Sequence, residues 1–381
     1  MATEQAPERR WVEGAIARWA SDVHIEPTSA GMYLLRVRVG GRLHPLGTLE
    51  RRDGEALVQR LKVLAKLNIA ERRLPQDGEL LYEAADGRSY EIRLATLPTI
   101  NGEKLTLRII YPMTQYERLT ELGMRPEEED VIRRWLSADS GMVVIAGPTG
   151  SGKTTTLYTL LGLIDRRTHS VYTIEDPVEV RLSLAHQTAV NEAIGLTFET
   201  GLKALLRHDP DVIVVGEIRS KATADIVVRA ALSGHLVLAT VHAQDALTGI
   251  IRFFELGVEP YLVVSALRGV IGQRMRHPVC PACGGRPADC PMCRGLGVIP
   301  RPEFELYVPR PAHVPYLLDR RIEALKALLT EEAKYGDDGV DGHRRPVAAM
   351  LKKFDGFRAK ENATGVKAGD EGDTGGRPSK G

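Results

Sequence analysis

Residues Gly147 to Thr154 read Gly-Pro-Thr-Gly-Ser-Gly-Lys-Thr, the full GxxxxGKT pattern. The run before it, Met142 to Ala146, is continuously apolar, and the run after it (TTLYTLLGLI) has the composition of a helix. A strand that turns through closely spaced glycines into a helix leaves several backbone N–H groups converging on one point, at the positive end of the helix dipole. Such a cup binds phosphate oxygens, and it exists only where a sheet exposes its strand ends, so it narrows the fold more than any other feature. In this arrangement Lys153 reaches the β and γ phosphates and the Thr154 hydroxyl ligates Mg2+. The nucleotide set is Gly147, Pro148, Thr149, Gly150, Ser151, Gly152, Lys153, Thr154 and Thr155, with ATP and Mg2+ as the ligands expected.

The surrounding pattern agrees. From about Gly123 to Arg276 short apolar runs alternate with helical stretches: Met142 to Ala146, Val171 to Ile174, Val212 to Val215 and Leu236 to Thr240. Continuous rather than alternating apolar runs predict strands covered on both faces, hence an α/β unit with a parallel sheet. Ligands collect at the carboxyl ends of such strands. Two of these ends are acidic, Glu175-Asp176-Pro177 and Gly216-Glu217, and a third carries His242. Glu217 is the candidate to polarise an attacking water, with Glu175 supporting Mg2+ or water and Asp176 beside it; Glu175 and Glu217 are interchangeable at this level. The Asp that commonly precedes such a glutamate is replaced by Gly216, so another group must serve the metal. His242 either contacts the γ-phosphate or is structural.

Before this unit, residues 1–112 read as a smaller mixed α/β domain. Met32 to Val39 alternates like a strand, Leu57 to Leu67 has helical spacing, and Leu80 to Glu83, Tyr90 to Thr96 and Lys104 to Ile110 are strand-like, punctuated by Gly78, Gly87 and Gly102. A linker is expected over 113–122 and the second domain over 123–355, with helices in 301–355 (315–333 and 345–354 in particular) and a disordered tail over 356–381.

The four cysteines lie within one short stretch, 278–300, as two CxxC pairs: Cys280 with Cys283, and Cys290 with Cys293. Four thiolates at that spacing suit a tetrahedral, structural zinc rather than a disulfide framework. Together with a polar start and no long apolar run, they predict a cytoplasmic location. The net charge of +1 and 5% aromatic content give neither a global field nor stacking platforms for nucleic acid, so direct nucleic-acid binding is not expected.

The boxes GPTGSGKTTTLY, TIEDPVE, VIVVGEIRS and HLVLATVHAQDA, in that order, resemble the secretion-traffic ATPases of type II secretion, type IV pilus assembly and DNA-uptake competence pili. ASDVHIEP, LNIAERRLPQDG, RLATLPTINGEKLTLRII and LGVEPYLVVSALRGVIGQRM extend the resemblance over about Ala20 to Arg276. It implies a PAS-like N-terminal domain beside a RecA-like P-loop motor, six subunits in a ring, and a polytopic inner-membrane platform protein as partner at the inner face of the membrane. It further implies that arginines of the N-terminal domain close on the phosphates, with Arg73, Arg88, Arg93 and Arg108 as candidates. Arg219 either acts at the subunit interface or pairs with a carboxylate. The zinc knuckles match assembly rather than retraction members, although only six residues, Gly284 to Asp289, separate them where the family has a longer segment. With the early entry into the first domain, they resemble most the competence-pilus ATPases of Gram-positive bacteria. A retraction motor, a nucleic-acid translocase and a non-hydrolysing scaffold are the competing readings; DNA stimulation and a Glu217→Gln variant discriminate among them.

Overall fold

The computed structural model describes residues 7–111, 116–286 and 290–318. The expected linker and the helix expected at 315–333 fall partly, and the helix expected at 345–354 and the tail fall wholly, outside these residues.

Two sheets organise the chain. The first is six-stranded, ordered β3-β2-β1-β6-β5-β4, and every pairing in it is antiparallel. Its strands are β1 (Asp22–Pro27), β2 (Met32–Val39), β3 (Arg42–Glu50), β4 (Gln76–Glu83), β5 (Ser89–Thr99) and β6 (Gly102–Ile110). Helices α1 (Pro7–Ile16) and α2 (Arg51–Leu64) cover one face, burying Val23, Ile25, Leu35, Val37, Ile92, Leu94, Leu105 and Leu107 against Trp11, Leu57 and Leu61. Buried and open positions therefore alternate along β2 and β5, as a half-covered strand requires.

The second sheet has seven strands, ordered β13-β12-β7-β11-β10-β8-β9. They are β7 (Gly141–Gly147), β8 (Val171–Glu175), β9 (His186–Ala189), β10 (Val212–Val215), β11 (Leu236–His242), β12 (Leu267–Arg276) and β13 (Arg301–Tyr307). All pairings are parallel except β12 with β13. Helices α3 (Pro126–Leu136) and α4 (Lys153–Gly162) lie with one buried cluster. Helices α5 (Phe198–Leu205), α6 (Lys221–Leu232), α7 (Ala246–Glu255) and α8 (Pro260–Ala266) lie with the other. Every residue of β7 and β10 is buried, which explains their unbroken apolar sequence. This is the expected P-loop, RecA-like α/β sheet, with an antiparallel edge added.

One expectation fails. The chain after the cysteine insertion opens with the strand β13, not with a helix; Phe304 and Leu306 fill the sheet core from that edge. The helix α9 (Val314–Leu318) follows. The insertion is closed at its base by a Val279–Val298 bridge. It leans on the first unit: Leu296 joins that core, and the Arg294 guanidinium donates to Ala17 O and lies 5.9 Å from the Trp19 ring.

Candidate nucleotide site

The loop between β7 and α4 has the geometry its glycines demand. Gly150 and Gly152 sit at φ +77° and +88°, where a side chain would be strained, and Gly152 is the N-cap of α4. Lys153 folds over the cup, its Nζ donating to Gly147 O at 2.8 Å and Pro148 O at 3.0 Å. Loss of hydration lowers its pKa, and the negative charge of Glu217 opposes that shift, so lysine and glutamate already share one electrostatic site.

The three strand ends next to the loop carry the expected polar residues. Glu217 follows β10 and is only 26% exposed; Arg219 grips it at 2.6 Å and stands 3.7 Å from Asp176, tying the ends of β10 and β8 together. Of the two roles left open for Arg219, the structure supports carboxylate pairing in this state. Glu175 is buried and engaged by three donors: Tyr158 Oη, Thr173 Oγ1 at 2.5 Å and Gln187 Nε2 at 3.2 Å. His242 is exposed at the end of β11, in register with Gly147. A Cβ on Gly216 would lie 3.3 Å from the Glu175 backbone, so an aspartate there would need the end of β8 to give by a few tenths of an ångström.

A further carboxylate, Glu179, stands near the hydroxyl of Thr154. The Thr154 side chain stands near enough to Glu179 to oppose the rise in its pKa. Desolvation of its carboxyl group and the charge of Glu175 raise its pKa, although the residue as a whole is exposed. Thr154 and Glu179 together present a hydroxyl and a carboxylate, the oxygen donors Mg2+ prefers. In the sequence Glu179 is only the third acid of TIEDPVE, with nothing local to associate it with Thr154.

Arg93 and Arg108 are register partners on β5 and β6, on the open face of the first sheet. They belong to a transverse row with Asp22 and Glu79, and these four line a cavity of about 620 Å³. Both lie within electrostatic reach of Glu179, whose pKa their charges lower against the larger effect of desolvation. Arg73 and Arg88 do not join the row. Arg73 is 88% exposed and paired with Glu71 of its own loop, and Arg88 is exposed just before β5.

The four cysteine sulfurs lie within 4.8 Å of one another, with Cys280–Cys290 at 3.9 Å and Cys283–Cys293 at 3.6 Å. A tetrahedron of Zn–S bonds of about 2.3 Å has edges of about 3.8 Å, so the short spacing between the pairs still brings four thiols to zinc geometry. The Gly297 N–H points at Cys293 Sγ. Gly284, Gly285 and Gly295 all take positive φ, as the tight turns require.

Comparison with known proteins agrees with this geometry. The sequence profile described as Type II/IV secretion system protein matches residues 5–309. Type II secretion system protein E of Pseudomonas aeruginosa is 43% identical over 288 residues, which is 75% of this chain and 57% of that protein. The type IV pilus assembly ATPase TfpB of Acinetobacter baylyi is 43% identical over 277 residues, 72% of this chain and 47% of that one. The chain thus spans less than two thirds of the length of these curated relatives. Among solved structures, the Legionella pneumophila ATPase DotB shares the fold at a TM-score of 0.59 and 20% identity, over 90% of this chain and 94% of its own.

Proposed function

This chain belongs to the Type II/IV secretion system protein family, and on that premise we propose that it is a P-loop ATPase whose hydrolysis of Mg–ATP drives assembly of a type IV pilus or a type II secretion pseudopilus. The observation that carries the reading is the convergence of a complete phosphate loop, its lysine and the Glu217 carboxylate on one end of a parallel sheet.

The residues divide the work as follows. Backbone N–H groups of 149–154 and Lys153 hold the phosphates and neutralise charge as it develops. Lys153 leaves the loop carbonyls that it now holds and takes phosphate oxygens instead. Thr154, with Glu179 beside it, would hold Mg2+, which supplies positive charge against the phosphate oxygens. Glu217 accepts the proton of the water whose oxygen attacks the γ-phosphorus, while the bond to the ADP oxygen breaks. Arg219, which pairs with Glu217 at 2.6 Å, must release it for this. Glu175 has its oxygens engaged by three donors and acts by holding the end of β8. Arg93 and Arg108 close from the open sheet and add positive charge.

The same reading makes the chain one subunit of a hexamer at the inner face of the cell membrane, acting on a polytopic platform protein. The four thiols hold a structural zinc, and their presence favours assembly over retraction; a competence pilus is one system of this class. No helix among the described residues is long and apolar enough to cross a membrane, which suits a peripheral motor. The test compares phosphate release by the purified chain alone, with the cytoplasmic part of the platform protein, and with DNA. Stimulation by the platform protein supports the proposal. Stimulation by DNA alone would replace it with a translocase.

A further inference from the structure

Gln273 belongs to β12, the strand beside β7, and has no part in the chemistry described above. It is 4% exposed, an expensive place for an amide unless all its hydrogen bonds are met. Both ends of the amide are used. Nε2 donates to Ser151 O at 2.7 Å, and Oε1 accepts from Thr156 Oγ1 at 2.8 Å. One side chain therefore spans from the loop to the first turn of α4. Its backbone closes on the loop as well, since a Cβ on Gly147 would lie 2.4 Å from Gln273 O, and a Cβ on Gly152 would lie 3.0 Å from the side-chain Nε2.

The consequence follows from peptide planarity. In a trans peptide the C=O of one residue and the N–H of the next point in opposite directions. With Ser151 O drawn toward β12, the Gly152 N–H is turned away from that strand. Gly152 has no side chain of its own to fix this peptide and sits at φ +88°. The buried Ser151 hydroxyl finds no hydrogen-bond partner among the described residues, so it offers the peptide no competing anchor.

Building on the nucleotide reading, we propose that Gln273 is a positioning residue for the phosphate loop: by bonding Ser151 O and Thr156 Oγ1 together it sets the Ser151–Gly152 peptide with its N–H toward the anion cup. It acts through the loop and touches no phosphate. Since β12 runs on toward Cys280, the loop's order is also tied mechanically to the strand that carries the cysteine insertion.

Gln273→Glu keeps the shape and the acceptor for Thr156 but sets an oxygen against Ser151 O. Gln273→Asn shortens the reach, and Thr156→Val deletes only the second bond. Hydrogen exchange on the full ligand-free chain reads the loop, and titration with a fluorescent ATP analogue reads its use. In Gln273→Glu, exchange across 146–156 rises about tenfold while peptides of α7 and β5 are unchanged, and nucleotide affinity falls about tenfold. Thr156→Val shows a smaller change of the same kind, and Gln273→Asn falls between. Unchanged exchange in the loop overturns the proposal, and so does a rise spread evenly over the second sheet, which would mark a packing residue only. If loop exchange rises as stated but the parent chain binds no nucleotide, the nucleotide reading fails and Gln273 is reduced to a tie within the fold.

Discussion

The two sheets use the same apolar residue types and put their polar chemistry in opposite places. In the seven-stranded sheet, β7 and β10 are buried throughout, so nothing polar can stand on their faces and the reactive groups are confined to strand ends: the loop after Gly147, Glu217 after β10, Glu175 at the end of β8. In the six-stranded sheet one face is open, and charge is spread across it in the row Asp22, Arg108, Arg93 and Glu79. The covered sheet builds a fixed cup; the open one presents a charged surface, which on the proposed function closes on the nucleotide and withdraws. A nucleotide motor needs both, because charge that must close and reopen cannot be locked in a core.

The difference can be broken at several points. Ile213, fully buried in β10, replaced by alanine should cost about 2–5 kcal/mol, read as a shift in the denaturant midpoint. Leu97, on the open face of β5 and 52% exposed, should give within about 0.5 kcal/mol on the same change. Equal losses would mean that the open face is covered in solution.

Carboxylates on the two sheets should respond to pH with opposite sign. Desolvation, reinforced by Asp245, pushes the pKa of Glu305 on β13 up to about 7. The folded state then binds this proton more tightly than the unfolded chain, so its contribution is present at low pH and lost as pH rises from about 4.5 to about 7. Glu305→Gln should therefore raise stability at pH 8 by on the order of 1–3 kcal/mol and change little at pH 4.5. Glu26, on the first sheet, is partly desolvated, yet its bonds from Lys104 and Arg36 win and lower its pKa. Its contribution is present at neutral pH and lost as pH falls, and Glu26→Gln should destabilise at pH 7. Thermal melts across pH 4.5–8 check both signs.

The smallest effect on the fold should come from the arginines. Arg93→Ala leaves the melting temperature nearly unchanged and weakens ATP use about tenfold, roughly one charge-assisted hydrogen bond; Arg108→Ala weakens ATP use similarly and also lowers the melting temperature, because Arg108 Nε donates to the buried Asp22 carboxylate at 2.9 Å. Arg73→Ala and Arg88→Ala, outside the row, leave KM for ATP unchanged in an isolated chain. A loss at Arg73 that appears only on oligomerisation would place that residue against a neighbouring subunit.

How much of this could be read beforehand follows the same division. Covered strands announce themselves, because burial on both faces forces an unbroken apolar run; β10 matches the run Val212 to Val215 residue for residue, and β7, β8 and β11 extend theirs by one or two. The edge strand β3 gave no such signal, since most of Arg42–Glu50 is open to solvent and carries Arg42, His44 and Pro45. Strand β13 was hidden for a related reason: it begins with Arg-Pro-Glu and shows its apolar residues only at Phe304, Leu306 and Tyr307. The phosphate loop was legible because its contacts are local. Glu179 and Gln273 were not, because their partners Thr154 and Ser151 are distant in the chain and are reached only through the path after β8 and the register of β12. The choice of Arg93 and Arg108 over Arg73 and Arg88 likewise needed the β5–β6 pairing.

The central claim is that the cup after β7 holds a triphosphate while Glu217 activates the water that cleaves it. Phosphate release and nucleotide binding, measured together on the parent chain and on Glu217→Gln with Mg–ATP, test it most directly. The account predicts steady phosphate release by the parent, and in the variant unchanged nucleotide affinity with turnover lower by roughly 10²–10⁴-fold. Equal turnover in the two proteins, or a parent that binds ATP and never releases phosphate, would contradict it.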